Sequence, residues 1–369
     1  MSDGVEIEID SGDDIPARAA AGAAIGVAIG DQSASGWSLL TWSPMLARVQ
    51  SFLLQGIDAL PCEVEVDFNE TEGMASDENN QRTIVVGLPD AGVKESQERV
   101  RTAMANSGFR PPMGKTLINL APADVKKEGP LYDLPIAVGL LVVSGVVSSD
   151  DPLAQRPKRV TSPRKQPDPA DGANADPQPV APLDYRRFVF GGELALDGRL
   201  RPIKGGIALA SLAKSKGYTG VILPADNAAE AAVVQGVEVF GARTLAEVVG
   251  LLTGRLAAEP YPPPDVAGML GGSLAPIDFA DVRGQESVKR AIVVAAAGGH
   301  NLLMLGPPGS GKTMMAKALP GVLPPLMPEE AIEITRIYSA AGALAPGQGL
   351  ITNRPVRSPH HTASAAAVV

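Results

Sequence analysis

The stretch Gly306-Pro307-Pro308-Gly309-Ser310-Gly311-Lys312-Thr313 restricts the possible folds of this chain more than any other. It fits the pattern G-x-x-x-x-G-K-[ST], and its flanks fit too: Asn301 to Leu305 reads as a short buried strand, and Met314 to Leu319 as a helix. Glycines permit backbone conformations and close approaches denied to residues with a Cβ, so successive N–H groups can turn inward on a polyphosphate. In such a loop Lys312 reaches the β- and γ-phosphates, the Thr313 hydroxyl ligates magnesium, and the following helix adds the partial positive charge of its N-terminus. The pattern therefore predicts an α/β fold with a nucleotide site.

Hydrolysis needs a further part, a carboxylate at the end of a later strand that holds magnesium and polarises water. After Thr313 the acidic residues are Glu329, Glu330 and Glu333, all in one helix-like segment behind Pro324, Pro325 and Pro328. A domain of this kind usually needs ~150 residues or more. The sequence thus reads as truncated before that carboxylate, expected to bind nucleotide poorly alone and to turn over none.

Length and composition bound the rest. A chain of 369 residues has room for two or three domains. With 45% hydrophobic and 20% charged residues it is neither wholly disordered nor fibrous. Only 4% is aromatic, so cores must be built from Ala, Val, Leu and Ile. The net charge of −9 argues against a surface coated in basic groups for nucleic acid, while leaving room for a local basic channel. Cys62 is the single cysteine, which excludes an internal disulfide and a multi-cysteine metal site, fits a cytoplasmic location, and reads as a buried inert thiol. No apolar run is long enough to span a bilayer. Asp3, Glu6, Glu8, Asp10, Asp13 and Asp14 precede the apolar stretch Ala19 to Ile29, the wrong sign for a secretory leader.

Along the chain, residues 1–36 read as a disordered extension. Met45 to Leu54 shows helix-like spacing, Cys62 to Phe68 alternates as a strand does, and Asn69 to Arg82 is a polar insertion. Thr83 to Val86 and Thr116 to Leu120 read as strands, with a helix from Ala91 to Asn106 between them, closed by Ser107-Gly108. Asp133 to Val147 is almost wholly apolar and reads as a helix covered on all sides, with Pro135 suited to its first turn. The segment 151–182 carries Pro152, Pro157, Pro163, Pro167, Pro169, Pro177, Pro179 and Pro182 and no aromatic residue, so it reads as a disordered insertion. The globular pattern resumes at Phe188 as an α/β alternation: Val189 to Phe190, a hairpin over Leu194 to Leu200 around Asp197-Gly198, helices at Ile207 to Lys216, Ala225 to Gln235 and Leu245 to Leu252, and strands at Gly220 to Leu223 and Val237 to Phe240. Pro260, Pro262, Pro263 and Pro264 mark a linker, assigned to 259–276, and Ser287 to Ala297 reads as the next helix.

Several of these stretches carry a family resemblance. Val85-Val86-Gly87-Leu88-Pro89-Asp90, Ile118-Asn119-Leu120-Ala121-Pro122-Ala123-Asp124, Tyr132-Asp133-Leu134-Pro135-Ile136-Ala137, Asp281-Val282-Arg283-Gly284-Gln285-Glu286, Ala296-Ala297-Gly298-Gly299-His300-Asn301-Leu302-Leu303 and Arg357-Ser358-Pro359-His360-His361-Thr362-Ala363-Ser364 resemble the YifB/ComM magnesium-chelatase-like AAA+ proteins. The likeness runs from about Trp37 to Val369. It implies a Lon-protease-like α/β domain over 37–258, followed by the N-terminal part of a P-loop AAA+ α/β domain over 277–369. It also implies ATP and magnesium at Gly306 to Thr313, a homo-hexameric ring and a role on DNA, as a helicase in branch migration. A chelatase- or chaperone-like motor acting on a protein or metal-insertion partner is the alternative, since chelatase subunits share the AAA+ module. Lon proteases use a Ser–Lys dyad. The resemblance puts Asp133 near the place of the nucleophile and Ala208 at that of the lysine, and neither can do that chemistry.

The remaining candidates are weaker. His360-His361 are adjacent residues with no third ligand nearby, a poor metal site; the family places them between the two nucleotide motifs, where Arg354 and Arg357 add slightly to a DNA-facing reading. Gln285 reads as a surface helix start that the family places near the adenine. Lys126-Lys127 and the stretch from Arg156 to Lys165 read as solvated surface charge, and Met314 and Met315 as core residues of their helix.

Overall fold

Where spacing suggests a helix from Met45 to Leu54, the chain instead forms a strand, β1 (Leu46–Gln55). The reason is its hairpin with β2 (Asp58–Asn69), whose register runs from Leu46 opposite Asp67 to Gln55 opposite Asp58. The turn is Gly56-Ile57, with Gly56 at φ +63°, the left-handed first position that two-residue hairpin turns give to glycine. Ala47, Val49, Ser51 and Leu53 then fall on one buried face. Local spacing over ten residues yields to that ladder.

The structure, a computed structural model, describes residues 46–69, 83–148, 181–272, 277–357 and Thr362. The sequence readings for 1–36, most of 69–82, residues 151–180 and His360-His361 lie outside the described residues.

The elements after β2 are β3 (Thr83–Val86), α1 (Ala91–Asn106), β4 (Lys115–Ala121), α2 (Asp133–Val143), β5 (Phe188–Phe190), the small hairpin β6 (Glu193–Leu194) and β7 (Leu200–Arg201), α3 (Gly206–Lys216), β8 (Gly220–Pro224), α4 (Ala225–Ala231), β9 (Glu238–Ala242) and α5 (Leu245–Thr253). Seven strands form one sheet in the order β3-β4-β2-β1-β5-β8-β9. The pairs β3–β4, β1–β5, β5–β8 and β8–β9 are parallel; the other two are antiparallel.

Helix α1 begins where sequence reading puts it, because the Asp90 carboxylate accepts the Val93 N–H at 2.7 Å, and it ends at Ser107 with Gly108 left-handed. Every residue of α2 is buried, as its apolar run predicts. Contact is closest at Gly139, where a Cβ would stand 2.5 Å from Val66 Cγ2. The main core joins α1, α2 and α5 to one face of the sheet. A second core packs α3 and α4 on the other face, over Phe52, Val189, Val221, Leu223 and Val239.

Beyond the proline-rich segment lie α6 (Val266–Gly271), α7 (Glu286–Gly298), α8 (Lys312–Ala318) and α9 (Pro328–Ala341). Leu270, Leu326, Ala331 and Leu350 are buried together with Ile207 and Val233, so α9 is rooted on α3. Gly205 N–H donates to Ser339 O at 3.2 Å, and Arg336 bonds Ile57 O at 3.0 Å and the Asp58 carboxylate. A separate small cluster of Val282, Ile292 and Met315 joins α7 to α8.

Two sequence readings fail in this region. Residues 301–305 form no strand; Leu303 and Leu305 are 80% and 85% exposed. A strand needs a neighbour for its N–H and C=O groups, and among the described residues none runs beside it. Met315 is buried as expected, but Met314 on the next side of the helix is exposed. Among the described residues no helix is long and apolar enough to cross a membrane.

Candidate functional site

The phosphate-loop pattern lies where the exposed chain after Leu305 enters α8. Gly309 and Gly311 stand at φ +80° and +85°, the left-handed region that a side chain resists, so the two glycines shape the bend. Gly311 is the N-cap of α8 and contributes no side-chain cap, which leaves the first N–H groups of that helix without a side-chain acceptor. Lys312 folds its ammonium back into the loop, donating to Gly306 O at 2.9 Å, to Pro307 O at 2.8 Å and to Ser310 Oγ at 3.3 Å. The loop is thus closed upon its own lysine, and Gly306, Pro307, Pro308 and Gly309 are exposed. Thr313, on the first turn of α8, is exposed, its hydroxyl suited to a hard cation such as magnesium. All eight residues named from the sequence therefore sit together in the bend and the first turn of α8, six of them exposed and Ser310 and Lys312 half-buried. The α7–α8 cluster anchors them through Met315 and Ile292, and Gln285 opens α7 at φ +57°.

The nearby charges have other employment. Glu330 accepts the Met327 N–H at 3.0 Å, closing the first turn of α9, and pairs with Arg354 at 2.9 Å. The Met327 N–H, with Arg354 adding to it, holds this carboxyl below its usual range. Arg354 also donates to Pro324 O at 3.0 Å. It braces the segment ahead of α9, whereas Arg357 is exposed.

A second group of polar residues is buried around α2. Asp133 is fully buried, accepting Arg99 Nε and Nη2 at 3.0 Å each and the Leu194 N–H at 3.1 Å. Burial raises its pKa and the bonds from Arg99 oppose that rise. Ala208 is buried in α3.

Lys127 corrects the sequence reading. Lys126 is solvated and pairs with Glu128 at 2.8 Å, but Lys127 is fully buried, donating to Val125 O at 2.8 Å and to Pro122 O. It is pulled inward because Lys127 N–H bonds Leu88 O and Asp90 N–H bonds Lys127 O, each at 3.1 Å. Neighbouring residues of an extended chain face opposite sides, which lets Lys127 turn in while Lys126 stays in solvent. Cys62 is buried as read, its thiol pushed up to about 12 by that burial. Among the described residues no three His, Cys, Asp or Glu side chains are placed to hold a metal ion.

This combination of a mixed α/β architecture with a phosphate-loop bend finds relatives. Residues 278–369 match the family model for magnesium chelatase, subunit ChlI, and residues 71–154 and 177–227 match that for subunit ChlI of Mg-chelatase. A protein of Salmonella typhimurium, YifB, is 39% identical over 325 residues, covering 88% of this chain and 55% of its own. The competence protein ComM of Haemophilus influenzae is 39% identical over 292 residues, covering 77% of this chain and 49% of its own. A protein of Mycobacterium tuberculosis is 36% identical over 330 residues, covering 88% and 56%. The chain belongs to the YifB/ComM magnesium-chelatase-like family and spans about half the length of the curated relatives it matches.

Proposed function

We propose that this chain carries the ATP-binding part of an AAA+ motor that remodels DNA, with Gly306 to Thr313 as the nucleotide site. The observation that carries the reading is the loop itself: left-handed Gly309 and Gly311, a lysine amine inside the bend and an exposed hydroxyl at Thr313. A bound polyphosphate would take over the Lys312 bonds now made to Gly306 O and Pro307 O, and the Thr313 hydroxyl would ligate its magnesium. The sheet of 46–258 we read as a Lon-like module without proteolytic chemistry, because Asp133 is consumed by Arg99 and Ala208 has no functional group. The relative named as a competence protein favours DNA as the substrate. A homo-hexameric ring in the cytoplasm completes the proposal. A chelatase- or chaperone-like motor acting on a protein is the second reading, favoured by the chelatase models that match both parts of the chain.

The test is ATP turnover by the whole protein with and without single-stranded or branched DNA. Stimulation by DNA, lost in Lys312→Ala, is the expected result. Turnover unchanged by Lys312→Ala refutes the nucleotide site. The absence of both stimulation and DNA binding at low salt refutes the DNA reading and leaves the protein-directed motor.

A further inference from the structure

The proline run between α5 and α6 is stiffer than a connection needs to be. Each proline fixes its own φ near −65° and pushes the residue before it out of the helical region into extended or polyproline II geometry. Pro260, Pro262, Pro263 and Pro264 therefore restrict every residue from Glu259 to Pro264. Residues 257–265 accordingly form no helix, strand or turn. As polyproline II, with three residues to a turn and ~3.1 Å to a residue, the stretch 259–264 makes two turns over roughly 19 Å.

This strap is tied at two points. The Tyr261 N–H donates to Val239 O at 2.6 Å, on the outer edge of β9, and the Asp265 carboxylate accepts the Gly268 N–H at 3.0 Å, fixing the entry to α6. A cavity of about 680 Å³ separates the strap from the turn at 234–238, so it stands off from the body of the molecule. Pro260, Pro262 and Pro263 are exposed, and Tyr261 is 43% exposed.

Its hydrogen-bonding capacity is one-sided. From 259 to 264 only Glu259 and Tyr261 have an N–H, and that of Tyr261 is taken by Val239. The carbonyls of Glu259, Pro260, Tyr261, Pro262 and Pro263 accept no bond from the described residues. An added strand would need N–H groups in return, and no cation stands in 259–264 to draw a nucleic acid. What is left to recognise is a fixed row of proline rings and one tyrosine ring, interleaved with acceptors. Its complement is a groove of aromatic rings whose Trp N–H and Tyr O–H groups donate. Keeping the β9 edge from pairing with another chain is served by Pro260 and Pro262 on either side of Tyr261, and gives Pro263 and Pro264 no role.

We propose that residues 259–264 are a docking strap for a partner protein whose surface carries a groove of Trp and Tyr rings, the mode in which proline-rich segments are read. The strap is already extended and held, so docking has little of it left to order. The proposal is independent of the nucleotide reading and needs no ATP.

The experiment is fluorescence anisotropy, with the whole chain titrated onto fluorescein-labelled SH3 and WW domains, two folds that read polyproline II through aromatic-lined grooves. At least one is expected to bind, and an end-blocked peptide of residues 257–266 should displace the chain from it. Replacing Pro262 and Pro263 together by alanine frees two φ angles and adds two N–H groups, and should weaken binding at least ~tenfold while Tm stays unchanged. The same double change in the peptide should weaken its competition by a similar factor, a comparison that holds even if the variant chain misfolds. The prolines of 151–182 are untouched in the variant, so affinity that survives the double change belongs to them and overturns the proposal. No binding of the peptide by either domain at millimolar concentration overturns it too. So does a peptide that binds where the whole chain does not, since the strap would then be out of reach.

Discussion

Replacing Arg99 by alanine strips Asp133 of its charged partner while leaving it buried. In the native protein the guanidinium gives Asp133 two bonds of 3.0 Å and also binds Gly92 O at 3.1 Å and Ser96 Oγ at 2.9 Å. After truncation the carboxylate keeps the Leu194 N–H, and Oδ1 loses its guanidinium bond. Breaking a buried pair by removing one member costs about 3–5 kcal/mol, because the remaining charge stays desolvated. The Arg99 side chain is 24% exposed, so water can enter the vacated space, and the low end, about 3 kcal/mol, is expected. For a protein of this size that is roughly a 6–12 °C fall in Tm. Urea unfolding followed by circular dichroism measures it. Asp133→Asn, which keeps an acceptor for Leu194 and removes the charge, should cost only about 1–2 kcal/mol. A loss below about 1 kcal/mol for Arg99→Ala, or a larger loss for Asp133→Asn, would refute the view that a desolvated carboxylate depends on this arginine.

Two further outcomes are expected. Glu230 is buried between α3, α4 and α9, and burial, opposed by the Ser339 hydroxyl and Asn227, raises its pKa above the ordinary carboxylate range. The folded state therefore holds this proton more tightly than the unfolded one, so stability is greatest below the unfolded pKa and falls as pH rises through the folded value. Glu230→Gln should flatten that slope and be more stable than the parent at pH 7–8; parallel urea midpoints from pH 4.5 to 8 would refute it. The buried Cys62 thiol, pushed up to about 12, should resist a disulfide reagent at pH 8 in the native protein and react only on unfolding; prompt native-state labelling would contradict its burial.

What can be read from the sequence depends on where each residue's partners lie. Helix α1 is legible to the residue because its cap, Asp90, and its stop, Gly108, are local signals. Helix α2 is legible because all-round burial demands an apolar run. Strand β1 reads as a helix because Phe52 serves one core and Leu53 the other, which blurs its alternation into a helical period. The phosphate-loop pattern is legible because it is written in eight consecutive residues. The strand expected before it does not form, because strands are completed by neighbours and not by their own composition. The bonds from Gly129 N–H to Asp90 and from Ile203 N–H to Asn227 leave no local signal, since the partners are far apart in the chain.

The rooting of α9 on α3 bears on how the molecule can be taken apart. The prolines at 260 and 262–264 invite a cut between the sheet and the helices α6 to α9. Yet Ile207 and Val233 are covered from beyond that point, by Leu270, Leu326, Ala331 and Leu350. A protease that severs the chain there should leave two pieces that still migrate as one particle under native conditions and separate only in denaturant. A sheet fragment expressed to residue 258 would carry a bare apolar patch into solution and clump with itself. Splitting this protein for study is therefore safer after α9 than at its proline-rich seam.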